Sequence, residues 1–312
     1  MYYKSQVYAP ATRRAYKTHR NSYIAFCNRL GYTPVPASQD TLCRYAAFLA
    51  KSLKYNSVKQ YINIIRLLHL EWGLPNPLDN NFSLTCTLKG IRRTLGDTIN
   101  QKMPITPTHL KLILSKLSLS VALDANVWAV CLVLFFSLLR RSNVLPTTTS
   151  SFDPQKQLRR KDIMFYHWGI SVSVRNTKTI QYGERMLNIP LPRSSNNNLC
   201  PVKAVFHAMS FSPKVPPEGP AFALPYHAGH ISLTASVFIQ KVTRCLQESG
   251  VDTSCFGGHS FRRGGASWGY ANGLSTETIR ILGDWKSSCY MNYVMPNYTS
   301  LRSAIKIMME NV

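Results

Sequence analysis

His259 and Arg262 stand three residues apart in HSFRRGG, at what reads as a helix N-terminus. Both side chains can therefore point at one anion while the first backbone amides add partial positive charge. That is a phosphate site in outline, although an isolated HxxR is common and its histidine is often a satisfied structural residue. Downstream, GDW and MNYV set Trp285 eight residues before Tyr293, with Tyr290 between them. An indole supplies one N–H donor and a phenol a potential nucleophile. Tyr and Trp at helical spacing usually belong to a core, but Gly283, Lys286 and Asn292 in the same stretch suit a half-exposed rim.

The elements that would carry these residues belong to a globular, strongly basic chain. Its 312 residues exceed the usual single-domain size, so two packed units are expected. With 45% hydrophobic and 16% charged residues, disorder from low hydrophobicity is excluded. Lys and Arg number 37 against 14 Asp and Glu, a net charge of +23 that favours a polyanionic partner, nucleic acid above all. Through Met103 there are 15 basic and 4 acidic residues, and after it 22 and 10, so both halves would share one extended polyanion. A membrane surface fits less well, because no helix sets a fully basic face against a Trp/Phe/Leu face. The eight cysteines are scattered without a CxxC pair, which supports neither a zinc site nor a disulfide framework and points to a reducing compartment. No metal or other cofactor is called for. The first ten residues lack an apolar signal region. The apolar run 127–139 is too short to span a bilayer and reads as a buried helix ending in Arg140 and Arg141.

Helical periodicity organises the first hundred residues. Over residues 11–30, Tyr16, Tyr23, Cys27 and Leu30 form a stripe, with Arg13, Arg14 and Lys17 off it. A second helix is predicted over 39–51. In a third, capped by Ser57, Val58, Tyr61, Ile62, Ile65, Leu68 and Trp72 are apolar while Lys59 and Arg66 share another face. A fourth, over 84–95, carries Lys89, Arg92 and Arg93. Residues 96–106 read as a linker. The expected fold is mainly α with a small β-sheet: a helical domain over 1–100 and a larger domain over 104–312. The alternation ISVSV and MLNIPL around RNTKTIQYGER gives the small sheet within 163–191. A short helix is predicted near 202–209 in an otherwise loop-rich stretch, with further helices from Ser232 and Ser260.

HSFRRGG, GDW and MNYV, in this order and near this spacing, resemble the C-terminal signature of the tyrosine recombinases, especially Cre-like enzymes and those of DIRS-type and related eukaryotic transposons. The resemblance extends to Arg140 in LLRRSNVL, at the place of the family's first arginine, and to Lys178 in VRNTKTIQYGER, which resembles its hairpin lysine. It covers residues 103–294 by motif; the N-terminal helices fit the family's core-binding domain by architecture only. Asn143 stands where the family carries an acidic residue, and the Trp-to-Tyr interval is one residue shorter than in Cre. The second departure leaves Tyr290 as an alternative to Tyr293.

The resemblance implies strand exchange on double-stranded DNA without metal or ATP, through a 3′-phosphotyrosyl link. Arg140 and Arg262 would clamp the phosphate, Trp285 would donate to it, and His259 would assist proton transfer. Lys178 would protonate the departing 5′ oxygen and Tyr293 would attack phosphorus. It further implies a homotetramer on paired sites, two domains closing on opposite sides of the duplex, a nuclear location, and a role in transposon integration or excision. The basic candidates for DNA contact are Arg13, Arg14, Lys17, Lys59, Arg66, Lys89, Arg92 and Arg93. The rivals are a type IB topoisomerase and a domesticated DNA-binding protein that has lost the reaction. The tail 300–312 is predicted as an amphipathic helix with Leu301, Ala304, Ile305, Met308 and Val312 on one stripe; it would either cap its own domain or dock on a neighbour.

Overall fold

A computed structural model describes residues 6–97 and 101–292, with residues 302, 305, 306 and 309 of the tail. The chain divides into two compact units, Met1–Asn100 and Gln101–Val312.

Among its described residues the first unit has four helices: α1 (Pro10–Leu30), α2 (Gln39–Ala50), α3 (Tyr55–Glu71) and α4 (Phe82–Leu95). Their ends follow local chemistry. Pro10 opens α1, where its missing N–H costs nothing, and Gly31 closes it in the left-handed region at φ 68°. Ser38 caps α2 by accepting from Thr41 N, and Asn81 caps α4 by accepting from Leu84 N. The third helix begins two residues before the expected cap, at Tyr55 after Lys54, with no side-chain cap. Tyr23, Tyr45, Ile62 and Ile65 meet in the core. Two members of the predicted stripes stand outside it: Leu30 is 52% and Trp72 69% exposed, because each lies where its helix runs out.

The second unit is built around α6 (Ala122–Phe136), preceded by α5 (Pro107–Ser115). Residues 124–135 of α6 are all buried, which is why that helix shows no amphipathic stripe. It stops at Phe136, short of the predicted end. Ser137 follows, Leu138 takes φ 53°, and Arg140 is extended ahead of a single helical turn, α7 (Arg141–Val144). The expected linker is also partly structured. Met103 N donates to Cys255 O, Ile105 N donates to Ser260 O, and Ile105 is buried, so 101–105 belong to this unit.

The predicted sheet is three-stranded and antiparallel: β1 (Ile163–Phe165), β2 (Gly169–Val174) and β3 (Leu187–Pro192) in that order. Val172 faces Ile163 on one side and Ile189 on the other. On β3, Ile189 and Leu191 turn inward while Pro190 and Pro192 lie exposed. After α8 (Pro201–Ser210) comes a two-stranded hairpin that periodicity does not predict, β4 (Ala223–Tyr226) with β5 (Gly229–Ser232). Each strand has four residues, too few for alternation to stand out. Then follow α9 (Ala235–Gln247), α10 (Ser260–Ala271) and α11 (Thr276–Leu282).

The glycine pair in HSFRRGG explains how α10 reaches its place. A Cβ on Gly264 would lie 1.9 Å from Ile105 O, and one on Gly265 the same distance from Phe135 O. Only glycine lets the α10 backbone approach both the 101–105 segment and the end of α6.

Candidate active site

A cleft of about 570 Å³ is lined by Arg140, Arg141, Ser142, Lys178, Gly258, His259 and Trp285. Among the described residues no carboxylate lines it, and three of the seven carry permanent or near-permanent positive charge. Arg140 and Arg141 come from the turn after α6, Lys178 from the β2–β3 loop, His259 from the N-terminus of α10, and Trp285 from the chain after α11. Arg141 is not picked out by motif; its signal is the doublet in LLRRSN. It lies against Gly258, where a Cβ would come within 3.0 Å of its guanidinium.

His259 stands at the mouth of the cleft. Desolvation of the ring and the nearby cations Arg262, Arg140 and Arg141 all push its pKa below the ordinary imidazole value. At neutral pH the ring is therefore uncharged and able to take a proton.

Arg262 does not point into the open cleft beside His259, contrary to the simplest reading of HxxR. It is 2% exposed, donates to the carbonyls of Leu138 and Gly283, and lays its guanidinium over Trp285, 3.9 Å from the ring centroid. Helical phase explains the difference: three residues into α10, beside the glycine pair, a side chain faces the packed C-terminal layer rather than the rim. Trp285 is itself buried, in a small cluster with Leu138, Ala266 and Ile279. A Cβ on Gly283 would fall 1.7 Å from the indole, so that glycine makes the packing of the ring possible.

The β2–β3 loop is fastened to the GDW turn. Thr177 Oγ1 donates to Asp284 Oδ2 at 2.8 Å, Thr179 Oγ1 also donates to that carboxylate, and Arg185 pairs with its other oxygen. Lys178, between the two threonines, is exposed. Asp284 has φ 53°, an uncommon conformation for a residue with a Cβ. Burial raises its carboxyl pKa, but hydrogen bonds from Thr179, Thr177 and Arg185 outweigh this and leave it below the usual range. Asn143, at the position where the resembled family is acidic, donates from Nδ2 to Asn176 O at 2.7 Å. It thus ties the Arg140 turn to the loop of Lys178.

Tyr290 sits in a 3₁₀ turn, Ser288–Asn292, half-buried with its ring 6.2 Å from that of Trp285. Tyr293 lies outside the described residues, as do the tail positions Leu301, Ala304, Met308 and Val312.

The basic candidates of the first unit fall into distinct settings. Arg13, Arg14 and Lys17 are exposed along α1, and Lys89 and Arg93 along α4. Lys59 and Arg92 converge on Tyr55, each 5.7 Å from its ring centroid, which brings α3 and α4 charges together. Arg92 is also paired with Asp97 at 2.7 Å. Arg66 is half-buried and donates to Asn63. Among the described residues no His, Cys, Asp and Glu cluster could hold a metal ion, and no helix is long and apolar enough to cross a membrane.

A cationic cleft is assembled from a post-helix arginine, a hairpin lysine, a helix-capping histidine and a buried tryptophan, on a two-unit α-rich fold with a small antiparallel sheet. In fold and in sequence the chain is similar to integrases and recombinases of the tyrosine recombinase class. It is 23% identical over 277 residues to an integrase/recombinase xerD homolog of Selenomonas ruminantium, covering 87% of this chain and 77% of the relative. Its fold matches that of the Tn1549 transposon integrase in complex with a circular-intermediate DNA, with a TM-score of 0.61 at 15% identity over 96% of this chain and 94% of that one. It also matches a lambda integrase dimer bound to a core site, with a TM-score of 0.57 at 13% identity over 93% and 73% of the two chains. No family model matches the chain.

Proposed function

We propose that the chain carries out site-specific strand exchange on duplex DNA through a covalent 3′-phosphotyrosyl intermediate, with Tyr293 as the nucleophile. The observation that carries the reading is the cationic cleft in which Arg140, Lys178, His259 and Trp285 meet. Cleaving a phosphodiester without metal needs positive charge on the nonbridging oxygens, a positioned nucleophile and an acid for the leaving oxygen. Arg140 supplies a planar, always-charged fork at the cleft wall. Arg262 orients the indole of Trp285 from behind, and the indole N–H is a further donor. Neutral His259 takes the phenolic proton. Lys178 protonates the 5′ oxygen as it leaves. The phosphotyrosyl bond then stores the energy of the broken one, and a second 5′ hydroxyl reverses the step on a new partner.

Tyr290 is the poorer nucleophile because its ring is engaged with the Trp285 cluster. Likeness to the Tn1549 integrase favours a mobile-element role, integration or excision. The proposal includes a homotetramer on paired sites. Its support is that Ile305 and Met309, two described residues of the tail, are 57% and 74% exposed, apolar surface that a neighbouring protomer would cover. A nuclear site of action rests on the resemblance to eukaryotic transposon recombinases alone. The short cluster Arg159, Arg160, Lys161 lends it nothing, since Arg159 and Lys161 pair with Glu218 and Arg160 donates to the carbonyls of Met209 and Ser212.

The deciding experiment incubates the protein with duplexes nicked beside candidate sites and looks for a covalent adduct trapped as the short fragment diffuses away. Wild type and Tyr290→Phe should attach, in excess EDTA as well, and Tyr293→Phe should bind without attaching. A strict magnesium requirement would sink the mechanism. Relaxation of plasmid by a monomer, without exchange, would favour a topoisomerase, and binding without any adduct a domesticated binder.

A further inference from the structure

The proposed chemistry gives no role to one buried charged group behind the cleft wall, the carboxylate of Asp284. Its side chain is 5% exposed, it lies directly before Trp285 in the chain, and it holds a conformation that residues with a Cβ seldom adopt. A carboxylate is costly to bury unless each oxygen is satisfied. Here one oxygen takes both Thr177 and Thr179, and the other takes Arg185. These three donors all come from the loop between β2 and β3, more than ninety residues earlier in the sequence.

The geometry within the loop shows what that arrangement holds. Thr177 is 5% exposed, and its Oγ1 also accepts from the N–H groups of Thr179 and Ile180, each at 3.0 Å. Thr177 N donates to Ile180 O, and Ile180 is fully buried. The turn is therefore pinned on both sides of residue 178, with Thr177, Thr179 and Ile180 directed into the protein and Lys178 left exposed at the cleft. Arg185 fastens the returning arm of the same loop. The tie runs to the dipeptide that presents the indole, so the ammonium of Lys178 and the N–H of Trp285 are referenced to a single backbone point.

We propose that Asp284 is a positioning residue for leaving-group protonation: its carboxylate, through Thr177, Thr179 and Arg185, fixes the lysine loop over the scissile phosphate. The inference rests on Lys178 being the acid. In that step the Tyr293 oxygen bonds to phosphorus as the P–O5′ bond breaks, the phenolic proton passes to His259, and the ammonium of Lys178 gives one proton to the 5′ oxygen and becomes an amine. Loosening the loop slows only the last of these transfers.

A duplex that the wild-type protein cleaves, made with either oxygen or sulfur at the 5′ bridging position, separates the possibilities. A sulfur leaving group departs as a thiolate and needs no acid, since thiol pKa values lie near 8.5. Single-turnover cleavage of both substrates is measured for wild type, Lys178→Ala, Asp284→Asn and Thr177→Val/Thr179→Val, with DNA affinity and thermal unfolding as checks on folding. Asp284→Asn and the double threonine variant should lose roughly tenfold to a hundredfold on oxygen, part of the hundredfold to ten-thousandfold that positioned proton transfer supplies. On sulfur both should return to within about threefold of wild type, as Lys178→Ala should. If Lys178→Ala is rescued and the other two are equally slow on both substrates, the inference about Asp284 is overturned and the acid reading stands. If Lys178→Ala itself stays slow on sulfur, Lys178 is not the acid and the inference falls with it. Should Asp284→Asn fail to fold, the threonine variant, which keeps the carboxylate and its pairing with Arg185, decides alone.

Discussion

The guanidinium of Arg262 lies over the indole of Trp285, 3.9 Å from the ring centre, with Gly283 against the ring and the carbonyls of Leu138 and Gly283 taking its N–H groups. Each residue is thus part of the other's environment, and the two sides of the pair should respond differently to substitution. Trp285→Phe keeps an aromatic face for the guanidinium and should cost under about 2 kcal/mol of stability while losing the N–H donor and most of the cleavage rate. Trp285→Ala removes the face and leaves a cavity beside a buried charge, for about 3–5 kcal/mol. Urea unfolding beside adduct yield separates these losses; equal stability of the two variants would show that the stacking is incidental.

Gly265→Ala should be among the most damaging single-methyl additions in the chain. The new Cβ would sit 1.9 Å from the carbonyl oxygen of Phe135, a backbone atom in the buried stretch of α6 that cannot give way. A loss of about 2–4 kcal/mol is expected. Gly257→Ala, whose neighbour is the flexible chain of Lys102, should be nearly neutral and provides the control. Thermal unfolding of both variants is the measurement, and similar midpoints would mean that α10 is less tightly docked than its backbone contacts imply.

In the DNA-free protein His259 should titrate below about 6.5, because its ring is partly desolvated and its charged neighbours are cations. A bound phosphate reverses that influence and raises the pKa. DNA binding then takes up a proton, so affinity should climb as pH falls through the interval between the free and bound values and level off on either side. His259→Gln should flatten that part of the profile. Imidazole resonances followed by NMR, with binding titrations from about pH 8 to 5, check both halves of the expectation. A His259 pKa above about 6.5 in the free protein would contradict it.

Charges on the first unit should not contribute alike to binding. Lys59→Ala, Lys89→Ala and Arg93→Ala should each reduce the slope of log affinity against log salt by about one. Arg92 is already partnered by Asp97, so Arg92→Ala should change the slope less and Asp97→Ala should tighten binding. A slope unmoved by any of the four basic-residue changes would place the DNA elsewhere.

Much of this architecture is visible in the sequence because periodicity reports it directly. The helices of the first unit each bury one face, as Tyr23 and Cys27 on α1 and Val58, Ile62 and Ile65 on α3 show, and β2 alternates cleanly. The end of α6 is hidden because an all-round apolar helix runs without change of pattern into Leu138 and Leu139, where only a positive φ marks the break. Arg140, Lys178, His259 and Trp285 can be picked out by motif and do meet at one cleft. The inward turn of Arg262 and the tie between Thr177 and Asp284 cannot, since one depends on helical phase at a close approach and the other on residues 107 apart.

The outer strand β3 has a consequence of another kind. Arg193 N, just past its end, reaches Trp168 O on the β2 side, so by alternation Pro190 and Pro192 occupy the positions whose donors would face away from the sheet. Proline has no such donor, and the rim therefore offers an incoming strand acceptors without their matching N–H groups. A protein of charge +23 is concentrated wherever polyanion gathers it, which is where edge-to-edge aggregation would otherwise start. Two ring closures on one short strand keep crowded copies from zipping together into β-aggregates.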